Sequence, residues 1–115
     1  MQTIGTIKRG DTFSFTASLT DCATNNSLIG ATANLKCQGK YNVLDITPIV
    51  IMTISETSIL GTYLFVAPST EVWRPNCDIY FDIQYTNNNN IVSSTETFYV
   101  HVEGDVTRWV ILILV

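Results

Sequence analysis

His101 is the one histidine of the chain, and imidazole is the side chain best suited to proton transfer near neutral pH. It lies on an alternating segment, where it shares the polar positions with Tyr99 and Glu103. A catalytic or metal-binding role needs further polar groups that converge on the ring from other strands. No motif places such groups beside His101, so we expect a surface imidazole on a sheet.

Two carboxylates, Asp78 and Asp82, share one face of a predicted strand, four residues apart. That spacing is roughly 13 Å, too far for a shared proton and wider than the carboxyl spacing of glycoside hydrolases. A calcium loop that uses Asp78 or Asp105 is an alternative, but no loop is dense enough in oxygen ligands. The abundant serines and threonines lack a nucleophile-elbow motif. We therefore predict that the protein is not an enzyme and holds no cofactor and no metal.

The three cysteines, Cys22, Cys37 and Cys77, cannot all be paired, and their spacing fits no metal site. The separation of Cys22 from Cys77 is similar to that of an immunoglobulin disulfide, but Cys22 lies in a polar turn rather than within a strand. Free thiols are favoured over that bridge. Cys37 and Cys77 are predicted to be small buried hydrophobic residues in a chain made in a reducing cytoplasm.

Charge and length exclude several classes of protein. The net charge is −4, and the six basic residues form no cluster beyond Lys8-Arg9, which argues against a nucleic-acid partner. No apolar run approaches the roughly 18 residues that span a membrane, and the first residues lack the apolar core of a secretion signal. At 115 residues, 46% of them hydrophobic, the chain is long enough for one domain with a real core.

A clean alternation of apolar and polar residues predicts a β-hairpin between residues 77 and 103. Its first strand has five inward positions: Cys77, Ile79, Phe81, Ile83 and Tyr85. Four asparagines, residues 87–90, tolerate left-handed backbone and predict the hairpin loop. The return strand is predicted over residues 91–103, with Phe98, Val100 and Val102 inward.

Further strands are predicted at residues 3–9, 12–20, 31–38, 45–54 and 61–67, with a turn at 39–42. Residues 45–54 are apolar on both faces, so we expect a central strand or one covered by a partner, with Pro48 near its start or at a bulge. Residues 68–75 predict the one helical turn, capped by Ser69 or Thr70 and stopped by Pro75. This spacing of strands is typical of an all-β antiparallel sandwich of about seven or eight strands.

An ordered set of short motifs over residues 10–108 resembles a family of bacteriophage structural proteins. The motifs are Gly10-Asp11-Thr12-Phe13, Leu28-Ile29-Gly30-Ala31-Thr32, Gly61-Thr62-Tyr63, Thr70…Trp73, Tyr80-Phe81-Asp82-Ile83-Gln84 and Gly104-Asp105-Val106-Thr107-Arg108. The family consists of short proteins with an immunoglobulin-like sandwich, encoded among tail, baseplate and fibre genes. The resemblance implies a domain over residues 1–108 and a non-catalytic part of the virion, made in the host cytoplasm. The chain departs from the family in its strongly apolar residues 44–54 and in continuing past Arg108.

Seven consecutive apolar residues follow that domain and are the predicted partner-binding site. They are Trp109, Val110, Ile111, Leu112, Ile113, Leu114 and Val115. Exposing them to water would forgo about 1.5–3 kcal/mol per side chain, so we expect them to be covered. They could form the last strand of their own sandwich or add to a neighbouring subunit. Because the resemblance already supplies a complete sandwich, we favour a C-terminal strand that contacts another subunit.

The predicted function is a virion structural subunit of the tail, baseplate or fibre-attachment region, with other virion proteins as partners. It would work as a homo-oligomer or within a symmetric assembly. One alternative is capsid decoration, with residues 49–54 or 109–115 docked on the shell. Another is a receptor- or carbohydrate-binding module, which would need exposed aromatic residues such as Tyr41, Trp73, Tyr80 and Tyr99 grouped at one end. The sequence scatters these aromatic residues over separate elements.

Overall fold

The computed structural model describes residues 2–21 and 24–104. Cys22, Asp105 and the predicted partner-binding residues 109–115 therefore lie outside the described residues. Within them, the chain forms nine strands: β1 (Gln2–Lys8), β2 (Ser14–Ser18), β3 (Leu35–Lys40), β4 (Val50–Ile51), β5 (Thr53–Glu56), β6 (Thr62–Val66), β7 (Cys77–Thr86), β8 (Val92–Ser94) and β9 (Phe98–Glu103). The predicted all-β class is confirmed.

The strands form two sheets. The larger has the order β1-β9-β7-β3-β4, with β8 also paired to β7, and the smaller has the order β2-β6-β5. The prediction of purely antiparallel pairing is wrong at one place, because β1 runs parallel to β9. No hairpin joins these two strands, so nothing local imposes antiparallel pairing on them. The positive φ of Gly5 accompanies a register shift between Thr3 and Gly5 in this pair.

Aromatic side chains join the two sheets. Phe15 of the smaller sheet stacks on Phe65 at 4.9 Å between ring centroids and meets Phe98 of the larger sheet edge-on at 5.4 Å. Phe98 in turn stacks on Phe81 at 5.9 Å. Such offset and edge-on pairs stabilise a core beyond the area that they bury. The predicted inward positions of the hairpin are confirmed for Ile79, Phe81, Ile83, Val100 and Val102, all of which are buried.

The asparagine loop is where it was predicted, and the Asn87 side chain closes it. Its Oδ1 atom accepts hydrogen bonds from the backbone N–H groups of Asn89 and Ile91 at 2.8 and 3.0 Å. The predicted continuous return strand, however, is divided into β8 and β9. Between them, Thr95 Oγ1 accepts the N–H of Ile83 at 3.0 Å, so a side chain interrupts the backbone ladder.

The prediction of one central strand over residues 45–54 is wrong. Its apolar run is split between β4 and β5, which lie at the edges of different sheets. Met52 lies between them, 4% exposed, with its N–H bonded to the carbonyl of Cys37 at 2.9 Å. The chain crosses from one sheet to the other at this residue, and an apolar run without a period does not predict such a crossing.

The predicted helical turn at residues 68–75 is also wrong, since this segment forms bends and turns. Ser69 Oγ accepts the N–H of Glu71, as an ST-turn residue does, whereas Thr70 Oγ1 bonds the distant backbone of Asp11, and no helix follows. The helical turn is a 3₁₀ turn at Thr32–Asn34, so β3 begins later than predicted. β3 also runs through Gly39 and Lys40, where we had expected a turn.

The strand register places several loops at one end of the sheets, which we call the exit end. There β9 reaches Glu103 beside Lys8, and β3 reaches Lys40 opposite Tyr80. The loop of residues 41–49 and the loop of residues 67–76 lie at this end. The hairpin of residues 57–61, between β5 and β6, lies at the opposite end.

Candidate interaction surfaces

The loop of residues 41–49 presents apolar side chains to solvent because two polar residues close its turn. Asn42 Oδ1 accepts the N–H of Leu44 at 3.0 Å, and Asp45 Oδ2 accepts the N–H of Asn42 at 3.2 Å. These bonds fix the local backbone, but they do not bury the side chains of Leu44, within the turn, and Ile46, after it. Leu44 is 84% exposed and Ile46 is 94% exposed.

The loop of residues 67–76 is anchored by two buried residues and exposes a third. Thr70 Oγ1 donates a hydrogen bond to the carbonyl of Asp11 at 2.6 Å and accepts the N–H of Gly10 at 2.9 Å. Trp73 is buried and packs edge-on against a core phenylalanine. Val72, next to it in the chain, is 80% exposed because Trp73 takes the inward position.

These two loops contact each other at the exit end. The backbone N–H of Arg74 donates to the Tyr41 hydroxyl at 2.8 Å. Val72 and Ile51 line the same shallow cavity of about 410 Å³. We call the five exposed apolar residues of this region the end surface: Val43, Leu44, Ile46, Ile51 and Val72. Single exposed apolar residues are ordinary, whereas contiguous exposed apolar surface is typical of an interaction site. Four of the five lie on the two linked loops, and Ile51 of β4 shares a cavity with Val72.

The outward face of the larger sheet carries the polar residues that the sequence singled out. His101 Nδ1 and Asp78 Oδ1 lie 2.7 Å apart, on directly opposed residues of β9 and β7. Their side chains are 40% and 35% exposed. Beside them, the rings of Tyr80 and Tyr99 lie 5.9 Å apart. The partner of His101 was missed from sequence, because identifying it requires the register of the hairpin.

This pair lacks the remaining parts of a catalytic site among the described residues. No serine, threonine or cysteine there is hydrogen bonded to His101, and no group of three metal-ligating side chains occurs. Burial raises the pKa of the Cys37 thiol to about 12, with a smaller contribution from Asp82, so this thiol remains protonated and a poor nucleophile. Asp78 and Asp82 are not brought together, since Asp82 lies opposite Gln38.

A small cavity of about 160 Å³ lies on the same polar face. Its polar lining consists of Lys36, Gln38, Lys40, Tyr80, Asp82, Gln84 and Thr97. It is smaller than the roughly 300–1,000 Å³ of ordinary ligand pockets. The aromatic residues named for a receptor site are not grouped: Trp73 is buried, Tyr41 lies in the loop of residues 41–49, and only Tyr80 and Tyr99 share this face.

Comparison of the chain with protein-family models, curated proteins and solved structures finds no match. In the part of the chain that the structure describes, no helix is long and apolar enough to cross a membrane. The two cysteines described, Cys37 and Cys77, are free thiols; Cys37 is buried and Cys77 is half-buried.

Proposed function

We propose that this protein is a non-enzymatic structural subunit of a bacteriophage virion, in the tail, baseplate or fibre-attachment region, and that it acts by assembling with other virion proteins. The single observation that carries this proposal is the end surface. Ile46, Leu44 and Val72 expose most of their side chains on loops that are held in place by hydrogen bonds. When another protein covers such an apolar surface, the free energy of the system falls, so association is favoured.

The order of the strands supports an immunoglobulin-like sandwich over residues 1–108. In an immunoglobulin-like sandwich, strands B, E and D lie side by side in one sheet, and strands C, F and G lie side by side in the other. By their order in the chain, β2, β6 and β5 correspond to B, E and D, and β3, β7 and β9 correspond to C, F and G. The sheets β2-β6-β5 and β9-β7-β3 follow that arrangement. A disulfide between the sheets is not needed here, since the edge-on contacts of Phe15 with Phe98 and Phe81 join them.

The apolar residues 109–115 supply the second contact in this proposal. They bind a neighbouring subunit of the virion, either another copy of this chain or a different structural protein, within a symmetric assembly. β9 ends at the exit end, so the chain leaves the described region on the side where the end surface lies.

The decisive experiment is analysis of purified phage particles by mass spectrometry and electron microscopy. We expect the chain in particles of the phage that encodes it, in a copy number that matches a symmetric ring or its multiple. Density in the tail, baseplate or fibre region supports the proposal. Density on the shell would replace it with capsid decoration. Particles that assemble and infect without the chain being present would overturn it.

A further inference from the structure

We propose that the free edge of β2 is an open strand position, and that an extended, uncharged segment of a partner protein binds there as an added strand. This inference rests on the proposed function and deepens it, because it names the kind of segment that the sandwich receives from another virion protein. The position lies beside Ser14–Ser18, on the side away from β6, and faces β1 of the larger sheet. Both of these strands lie within the described residues.

The edge of β2 offers backbone groups in the order that another strand needs. At one end, the carbonyl of Phe13 accepts the N–H of Ala67 at 3.0 Å. At the other, the N–H of Leu19 donates to the carbonyl of Gly61, also at 3.0 Å. Odd-numbered residues therefore bond the β6 side, and because backbone direction alternates along a strand, even-numbered residues direct their N–H and C=O groups to the open side. These residues are Ser14, Thr16 and Ser18.

The larger sheet extends past β2 on this side. The chain crosses from β4 to β5 at Met52, so β5 lies toward the β4 edge of the larger sheet, and the free edge of β2 faces the β1 edge. Phe15 of β2 already meets Phe98 of β9 at 5.4 Å, and β1 lies beyond β9. A strand added beside β2 would therefore pack against the inward side of β1 and extend the core.

The exposure of inward residues shows that this part of the core is uncovered. Gln2, Gly5 and Ile7 of β1 pair with the inward residues of β9. Of these three, only Ile7 is buried, and Gln2 and Gly5 are exposed. On the facing sheet, Phe15 and Ala17 are half-buried, whereas both inward aromatic residues of β6 are 0% exposed. An added strand would remove the uncovered apolar surface of β2 from water, which favours its binding.

β2 lacks the features that protect the other described edges from strand addition. Proteins protect such edges with charged residues, proline, bulges or very short strands. β1 has a register shift and Lys8, β5 ends at Glu56, and β4 and β8 have only two and three residues. β2 has five residues, Ser-Phe-Thr-Ala-Ser, with no charge, no proline and no register shift in its pairing with β6. Its edge is therefore suited to accept a strand.

The chemistry of the position specifies its occupant. Alternating N–H and C=O groups along an edge are matched by another extended backbone. The inward side chains of the added strand would be apolar, since they contact Phe15 and Phe98. Its outward side chains would be serine or threonine, because hydroxyl side chains pair across strands, as Ser18 already does with Thr62 at 2.8 Å. A second copy fits less well, since pairing its own β2 here would bring the projecting β1 of each copy against the larger sheet of the other.

Amide hydrogen exchange of the full chain, followed by NMR, tests the position residue by residue. In the free protein, the amides of Ser14, Thr16 and Ser18 should exchange at least about tenfold faster than those of Phe15 and Ala17, which face β6. The probe is the peptide acetyl-Lys-Thr-Val-Thr-Val-Thr-Lys-amide, whose five inner residues match the length of β2. At millimolar concentration it should slow exchange of the three outward amides about tenfold or more. The control is the same peptide with its inner amides N-methylated, which keeps the side chains but donates no hydrogen bonds and should protect nothing.

Three other exchange patterns would each overturn the inference. Slow exchange of the three outward amides in the free monomer would mean that the chain fills the position with its own residues. Slow exchange that develops only as the protein concentration rises would assign the position to a second copy. Fast exchange that the probe leaves unchanged would mean that this edge of β2 accepts no strand.

A proline at the centre of the edge tests the backbone contact itself. Thr16→Pro removes an N–H that points away from β6, so it should leave the pairing of β2 with β6 in place. We expect it to raise the dissociation constant of the probe about tenfold or more, whereas Thr16→Val, which keeps the N–H, should leave it unchanged. Equal affinities of the two variants would contradict the proposal. If Thr16→Pro does not fold, the exchange pattern of the wild-type chain decides.

Electron microscopy of phage particles separates this inference from the proposed function. Density for an extended strand beside β2 supports both. Particles that contain the chain without such a strand would overturn this inference and leave the proposed function standing. Absence of the chain from particles would overturn the proposed function, whereas the peptide measurements still decide whether β2 accepts a strand.

Discussion

The guanidinium carbon of Arg74 lies 4.6 Å from the ring centroid of Tyr41, and the Tyr41 hydroxyl accepts the backbone N–H of the same arginine. One residue therefore contacts the other twice, once through its side chain and once through its backbone. The two contacts connect the loop that carries Leu44 and Ile46 with the loop that carries Val72. Because the contacts use different atoms, mutation can separate them.

Tyr41→Phe and Arg74→Ala should each lower the free energy of unfolding by about 0.5–1.5 kcal/mol, the first through the hydrogen bond and the second through the cation–π contact. Urea denaturation of the two variants and of the double variant measures both terms. Arg74→Ala keeps the backbone N–H and Tyr41→Phe keeps the ring, so the double variant should be less stable than either single variant. A double variant no less stable than either single variant would contradict two separate contacts.

Gly39 should not tolerate a methyl group. A Cβ atom there would lie 2.7 Å from Phe81 Cε1 and 2.7 Å from Val50 Cγ1, with Ile79 Cγ2 at 2.9 Å. Overpacking of this kind costs about 1–3 kcal/mol, so Gly39→Ala should lower the thermal midpoint by several degrees. Gln38→Ala, the neighbouring substitution on the outward face, is the control and should change stability little. Equal midpoints for the two variants would contradict this packing.

The same glycine shows why the sequence predicted a turn where the structure has a strand. Gly39 precedes Lys40, Tyr41 and Asn42, and such composition is typical of turns. What decides the outcome is the space between β7 and β4, and no local pattern reports it. The faces of β7 and β9 were predictable, in contrast, because alternation is a property of the chain itself.

The pairing of Asp78 with His101 depends on one extra residue between β8 and β9. The pairs Gln84↔Ser94 and Phe81↔Phe98 are three residues apart along β7 but four residues apart along the segment that contains β8 and β9. Without that extra residue Asp78 would face Val100, an inward position. With the asparagine loop closed by Thr86 and Ile91, alternation would pair Asp78 with Tyr99 and need no bulge, so the two faces alone do not identify the partner of His101. The exposure of Ile46 could not be predicted either, because an apolar side chain gives no sign of which protein covers it.

Cys37 should make stability fall at high pH. Burial raises the pKa of its thiol from 9.0 to about 12, so between these values the folded chain keeps a proton that the unfolded chain loses. The stabilisation is fully present below pH 9 and is lost as the pH rises toward 12; it amounts to about 1 kcal/mol less at pH 10 than at neutral pH. Cys37→Ala carries the same tyrosines and lysines, so the difference between the two proteins isolates this thiol.

The measurement is urea denaturation of both proteins at about pH 7 and pH 10. Cys37→Ala should be less stable at both values because it leaves a cavity, and the gap should narrow at the higher pH. A gap that stays constant would mean that the thiol titrates equally in the folded and unfolded chains.

Tyr63→Phe should be costly although it removes only one oxygen atom. The Tyr63 hydroxyl, in a fully buried side chain, donates to the carbonyl of Leu28 at 2.5 Å and accepts the N–H of Ala31 at 3.1 Å. Phenylalanine fills the same space but leaves the buried N–H of Ala31 without a partner, which costs about 1–3 kcal/mol. Tyr80→Phe is the matched control, since that half-exposed ring lies on the polar face. Denaturant unfolding that shows the same loss for both substitutions would mean that the hydroxyl of Tyr63 does not hold the chain between β2 and β3.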